Sequence, residues 1–197
     1  MSRLRAFGIA ATGVAFVRSP RYLGDTLADA VDLKAPDVRD ERTFWRRVVR
    51  AYELLPRELP ELQARLAAKY CRNLDLWKVL PALRRDHRLF LVYSGPSTTL
   101  ACWRGAYRLD ETFDAIVSGV EEGLTARDPA LYRVLAARAG VAPEACAVVE
   151  STQAGVEAAE AAGLPAYRYG SAYGLLRWLR GQEQRAAEED SAPGERR

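Results

Sequence analysis

Thr12, Ser94, Ser97, Thr98, Glu150, Ser151, Thr152 and Gln153 are the side chains of this chain whose types and places suit chemistry. Each stands at the end of an apolar run or in the loop that follows it, where polar groups can face a ligand without entering a core. Glu150 is the only carboxylate of the set. A lone carboxylate near a strand end, with Thr12 and Ser151 as neighbours, can serve as a general acid or base without a metal if burial raises its pKa. It can equally cap the following turn or bind backbone amides, and the residue types leave both roles open. Thr12 and Ser94 suit binding or capping better than reaction. Tyr93 and Trp103 flank the second of these loops, and Gly95 gives that loop its turn.

The elements that would carry these residues follow from the periodicity. After residue 75, buried apolar runs alternate with helical patterns, which is the mark of βαβ units feeding a parallel sheet. The sequence predicts strands over 6–17, 89–95, 113–119, 146–151 and 166–170. The intervening segments 98–109, 129–139 and 154–163 read as helices. Asp128 followed by Pro129 predicts a helix start, and Gly140 and Gly163 predict helix stops. The fold class is therefore α/β: an open, mostly parallel, Rossmann-like sheet flanked by helices. Residues 20–85 are read as an insertion of amphipathic helices near 25–33, 40–55, 58–71 and 75–85.

In open parallel sheets the ligand sits outside the carboxyl ends of the strands. An insertion leaving the end of the first strand would roof that crevice as a small helical cap. Trp45 and Tyr52 are candidate ligand contacts from this roof, and Tyr70 and Trp77 share the same pattern. The expected organisation is a core of 1–19 and 86–180, a cap of 20–85 and a disordered tail of 181–197.

Composition narrows the function classes. At 197 residues, 49% hydrophobic and 28% charged, the chain is long enough for one core and a small accessory unit. No apolar run approaches the roughly 18 to 20 residues of a membrane span, so a cytoplasmic protein without a membrane partner is expected. Three cysteines at wide spacing and a single histidine, His87, give neither a disulfide framework nor a zinc motif. Cys146 lies in an apolar run and reads as a buried small hydrophobe, while Cys102 is a weak candidate for a reactive thiol. The formal charge of +3 hides a tail with five acidic and three basic side chains, leaving the body more basic than the total. Its arginines are scattered without an aromatic-interleaved stripe, and no nucleic-acid partner is expected.

Four segments in order, GIAATGVAFV (8–17), LVYSGPS (91–97), TARDPALY (125–132) and AVVESTQAGVEAAEAAGLPAYRYG (147–170), resemble the haloacid dehalogenase-like (HAD) hydrolases over roughly residues 6–170. The resemblance implies a Rossmann-like core with a helical cap. In that family the first strand ends in Asp-x-Asp, where the first aspartate attacks and the second works as acid and base. The corresponding places here hold Ala10 and Thr12. The hydroxyl that binds the transferring group corresponds to Ser94. The lysine position holds Ala126, with Arg127 next to it, and the acidic pair that holds magnesium becomes Glu150 and Ser151. One carboxylate is a poor magnesium cage, so no metal and no cofactor are expected.

The expected function is accordingly that of a HAD-fold protein without phosphatase or dehalogenase activity. The first reading is a repurposed, metal-independent enzyme of specialised metabolism that performs acid/base chemistry (dehydration, cyclisation, isomerisation or hydrolysis) on a small organic substrate under the cap, with Glu150, Thr12 and Ser94 as its catalytic set. Ala10, Tyr93, Gly95, Ser97, Thr98, Arg127, Ser151 and Thr152 would then contact the ligand. The second reading is a noncatalytic pseudoenzyme that binds a ligand, a partner protein or a second copy of itself.

Overall fold

The computed structural model describes residues 3–31 and 40–191. Its centre is β1 (Ala6–Ala10), in which every residue is buried. Such a strand must be apolar on both faces, and AFGIA is. It pairs in parallel with β4 (Arg88–Tyr93) on one side, Ala10 opposite Val92, and with β6 (Cys146–Glu150) on the other, Ile9 opposite Val149. With β5 (Ala115–Ser118) and β7 (Ala166–Arg168) at the edges, the sheet order is β5-β4-β1-β6-β7.

Strand alternation sends successive residues to opposite layers. Phe7, Ile9, Leu89, Leu91, Ala147 and Val149 enter one core, and Ala6, Phe90, Val92, Cys146 and Val148 enter the other. The first core is closed by α4 (Leu74–Asp86), α5 (Ser97–Tyr107) and α10 (Ala172–Ser191), and α6 (Leu109–Thr112) contributes Leu109. The second is closed by α8 (Pro129–Ala139) and α9 (Gln153–Ala161) through Leu131, Tyr132, Leu135, Ala158 and Ala159. Helix α8 begins after Asp128 with Pro129 in its first turn, and Gly140 ends it at a φ of 64°, a left-handed stop that favours glycine. The one-turn α7 (Gly119–Glu122) follows β5.

The apolar run 6–17, expected to be one strand, divides in two. Gly13 adopts a φ of 87°, and the chain folds back so that the Ala15 and Phe16 amides donate to the Ala10 and Ala11 carbonyls at 3.0 and 2.7 Å. β2 (Phe16–Arg18) therefore leaves the main sheet and pairs antiparallel with β3 (Tyr70–Arg72), Phe16 opposite Arg72. Together they form the stem of the helical insert: α1 (Thr26–Ala30), α2 (Glu41–Ala51) and α3 (Leu59–Ala68).

The insert has its own small core of Ala28, Val31, Phe44, Trp45, Val48, Leu62 and Leu66. Arg65 with Asp25 at 2.8 Å and Lys69 with Asp29 at 2.8 Å tie its helices together. Three expected boundaries move. Tyr70–Arg72, expected at the end of a helix, is a strand because it pairs with β2. Helix α4, expected to belong to the roof, packs Leu76, Leu80 and Leu83 into the main core, so the separately packed unit ends near β3. Residues 181–191, expected to be disordered, continue α10 and bury Gln182 and Ala186. The remainder of the expected tail lies outside the described residues, as do the last two residues of the helix expected near 25–33.

Trp103 on α5 joins the two units. It is 1% exposed, stacks on Phe16 with centroids 4.5 Å apart, and donates its indole N–H to the Ala67 carbonyl at 2.9 Å. At the sheet centre, packing is tightest at Gly8, where a Cβ would lie 2.2 Å from Leu135 Cδ2 and 3.1 Å from Val92 Cγ2. Gly8→Val should overpack this site and cost about 3 kcal/mol, a Tm loss of about 10 °C. Thermal unfolding followed by circular dichroism checks this.

Candidate functional site

The carboxyl ends of β1, β4 and β6 surround a cavity of about 100 Å³. Ala10, Ala11 and Thr12 line it after β1, Tyr93, Ser94 and Gly95 after β4, Thr125, Ala126 and Arg127 before α8, and Glu150, Ser151 and Thr152 after β6. Nine of the residues singled out in the sequence are thus gathered at one place: Ala10, Thr12, Tyr93, Ser94, Gly95, Arg127, Glu150, Ser151 and Thr152.

Glu150 is the most constrained of them. It is 3% exposed, its Oε1 lies 3.0 Å from the Tyr132 hydroxyl, and its Oε2 accepts the Ser151 amide at 2.9 Å. Gly155 on α9 leaves it room, since a Cβ there would lie 2.7 Å from the Glu150 Cδ. Burial first, and then the carboxyl group of Glu150, push the Tyr132 phenol far above its ordinary pKa, so it remains a neutral O–H. Tyr132 also reaches the Ala126 carbonyl at 2.9 Å. The sequence reading missed Tyr132. Its only signal was a tyrosine one turn into a helix that begins at the expected cavity rim.

Several side chains support the loops. Ser151 donates its hydroxyl to the Thr12 carbonyl at 3.0 Å, and Gly13 leaves space for it, because a Cβ there would meet Ser151 Oγ at 2.8 Å. Thr152 caps α9 by accepting the Gly155 amide at 3.1 Å. Asp128 turns its carboxylate back to the Thr125 amide and hydroxyl at 2.7 and 2.8 Å, which fixes the turn before α8. Arg127 is exposed at the rim. Gly95 is required where it stands, since a Cβ would lie 2.3 Å from the Tyr93 hydroxyl oxygen.

Four expected ligand contacts do not line the cavity. Trp45 packs in the core of the insert and donates its indole N–H to Glu41 Oε1 at 3.0 Å. Tyr52 donates to the Ala30 carbonyl at 3.2 Å. Ser97 and Thr98 at the start of α5 are engaged by Glu41 of α2, whose Oε2 accepts the Ser97 amide at 3.0 Å and whose Oε1 accepts the Thr98 amide at 3.4 Å. Of the other aromatics expected in the roof, Trp77 packs in the main core and donates to the Ala15 carbonyl at 2.9 Å, and Tyr70 belongs to β3.

Cys146 is buried, which pushes its thiol up to about 12, so it is no nucleophile. His87 packs edge-on against Phe7 at the opposite end of the sheet.

The family resemblance implies magnesium, and the cavity residues do not fit it. Magnesium takes six oxygens in near-octahedral array and leans on carboxylates. Among the described residues, Glu150 is the only carboxylate lining the cavity, with a phenol against one oxygen and a backbone amide against the other. Among the described residues, no group of three or more His, Cys, Asp or Glu is gathered to hold a metal. Nor is any helix among them long and apolar enough to cross a membrane.

Residues 39–163 match the family model of the haloacid dehalogenase-like hydrolases, and the chain belongs to this family. Its fold is similar to that of a HAD family enzyme of Bacteroides thetaiotaomicron determined with magnesium and inorganic phosphate. Identity there is 11% and the TM-score 0.68, over 86% of this chain and 96% of that one. A predicted HAD-like hydrolase of Porphyromonas gingivalis is similar at 18% identity and a TM-score of 0.69, covering 91% of this chain and 99% of that chain. A dehalogenase determined as an intermediate complex is similar at 20% identity and a TM-score of 0.59, covering 86% of both chains. No curated protein matches the chain.

Glu41 joins the insert to the site. Partial burial works to raise its pKa, but hydrogen bonds from Ser97, Trp45 and Thr98 outweigh this and hold the carboxyl below the usual glutamate range. A depressed folded-state pKa gives stability that is present above the unfolded value and lost as pH falls through the folded one. Glu41→Gln should therefore cost about 1 kcal/mol at neutral pH, with the difference from the parent vanishing in acid. Denaturant melts of both proteins between neutral and acid pH measure this.

Proposed function

We propose that this protein is a metal-independent acid/base enzyme on the HAD fold, and neither a phosphatase nor a dehalogenase. The helical insert acts as the cap, and a small organic substrate reacts beneath it by dehydration, cyclisation, isomerisation or hydrolysis, in a cytoplasmic setting. The observation that carries this reading is Glu150, an enclosed carboxyl group on the wall of the cavity and the only acidic group there among the described residues.

The absence of a nucleophile supports it. Ala10 ends β1 at the centre of the cavity, and a methyl group cannot form the acyl-phosphate or ester intermediate that a carboxylate forms. Thr12 has a hydroxyl and no carboxylate to protonate a leaving group. Thr12, Ser94 and Ser151 are left as hydrogen-bonding groups that orient the substrate, with Arg127 at the entrance. The cavity holds about three water molecules by liquid volume, so it accommodates the reacting group of a substrate while the insert closes over the rest.

A second reading, a noncatalytic ligand- or protein-binding module, is favoured by an apolar groove on the outer side of α2. Trp45, Val49 and Leu59 line it, with Arg42, Arg46 and Arg50 along one helical stripe. Complex formation would then depend on this surface and not on Glu150.

Incubating the purified protein with a metabolite extract in the presence of a chelator, followed by mass spectrometry, separates the two readings. Catalysis predicts depletion of many equivalents of one metabolite, reduced about a hundredfold or more by Glu150→Gln. Retention of about one equivalent without turnover would instead select the binding module.

A further inference from the structure

Tyr132 has one hydroxyl proton and two neighbouring acceptors: the Ala126 carbonyl at 2.9 Å and Glu150 Oε1 at 3.0 Å. A carbonyl never donates. If Glu150 is ionised, the tyrosine proton can satisfy only one of these contacts, and the other sets lone pair against lone pair. Burial makes that costly, since Tyr132 is 0% and Glu150 3% exposed. If Oε1 carries a proton, each of these contacts is a hydrogen bond. Glu150 donates to Tyr132, Tyr132 donates to Ala126, and Oε2 accepts the Ser151 amide at 2.9 Å.

We propose that Glu150 is a neutral carboxylic acid at neutral pH, and that Tyr132 is the positioning residue that holds its proton at the cavity wall where the family resemblance implies a metal. The protonation state stands on the geometry alone. Its use in catalysis rests on the acid/base reading above.

The surroundings agree with a neutral group. From β1 the cavity receives Ala10 and Thr12, which carry no charge. From α9, Gly155 offers only space. Charged groups on neighbouring elements include Arg127 and Asp128 before α8 and Arg168 on β7. Both arginines are exposed, and Asp128 is turned to Thr125.

The arrangement also serves the step that uses the proton. The Oε1–H bond breaks, its electron pair stays on the carboxylate, and the proton passes to a substrate oxygen, either a leaving hydroxyl or a carbonyl. Tyr132 then turns its O–H from Ala126 to Oε1, while the Ser151 amide remains on Oε2. The new anion thus meets two donors already in place. Protonation from the substrate side restores the resting state.

The test is carbon-13 NMR of the full chain labelled at glutamate side-chain carboxyls, titrated over pH, with Glu150→Gln assigning the resonance. Glu150 should stay protonated through neutral pH, and magnesium chloride should leave its resonance unmoved. Tyr132→Phe removes both the oxygen that accepts the Glu150 proton and the crowded contact that penalises the ionised form, so the midpoint should fall, on the order of one pH unit. Ionisation at neutral pH, loss of the proton on adding magnesium, or a midpoint unmoved or raised in Tyr132→Phe would each overturn the proposal.

Should Tyr132→Phe fail to fold, Glu150→Gln supplies a second measure, because its amide can donate to Tyr132 as the acid does. A midpoint raised in the folded state makes parent stability fall as pH climbs from the ordinary glutamate range through neutrality. Glu150→Gln should lack that slope, and equal slopes would refute the assignment. These readouts need no substrate, so an absence of turnover would leave them standing and would count only against the enzyme reading.

Discussion

The position of β1 governs the rest of the molecule. It is flanked by a parallel neighbour on each side and covered by helices on both faces, so none of its residues can carry an unpaired polar group. Polar chemistry is pushed to the first point at which the chain leaves the sheet. That point is the Ala11 to Gly13 turn, and the ends of β4 and β6 lie beside it. The cavity, the hydroxyls around it and Glu150 all sit at this carboxyl edge of a dry sheet. Tyr132 shows the same constraint from below: its ring belongs to the core between sheet and α8, and only its hydroxyl reaches the boundary.

Much of this was legible in the sequence because it is local. The alternation in residues 89–93 and 146–150 sorts side chains into the two cores, and Asp128, Pro129 and Gly140 mark the ends of α8 by their own backbone preferences. Glu150 and Ser151 could be placed at a strand end on the same grounds. What escaped depends on contacts between distant segments. Residues 8–17 are apolar on both sides of Gly13, so hydrophobicity alone could not show that the chain turns back there. Tyr70–Arg72 is a strand because Phe16–Arg18 lies beside it, a pairing invisible to a helical pattern. The polar run 181–191 looks solvated, yet Gln182 and Ala186 are buried against the body of the protein. Tyr132 and Glu41 were missed for the same reason, since their partners lie 18 and 56 residues away.

The insert and core are separately packed but not independent. Two chain crossings, β2 and β3, join them, and Trp103 fills the junction with its ring on Phe16 and its N–H on Ala67. The cavity is built from the strand ends of the central sheet and the loops after them. The insert stands on a two-stranded stem, and two-stranded ribbons gain their rigidity from what they pack against. The placement of the insert against the core therefore depends on the stem and on contacts that cross from one to the other.

The Glu41 bridge has a consequence for selectivity. The first amides of a helix are a natural seat for an anion, and those of α5 lie beside the loop of Ser94 and Gly95. Here a carboxylate attached to the protein already sits on them, at an effective concentration set by the fold and not by the medium. A phosphate or carboxylate arriving from solution must compete against a permanent resident. A neutral, hydroxyl-bearing molecule faces no such contest at the threshold.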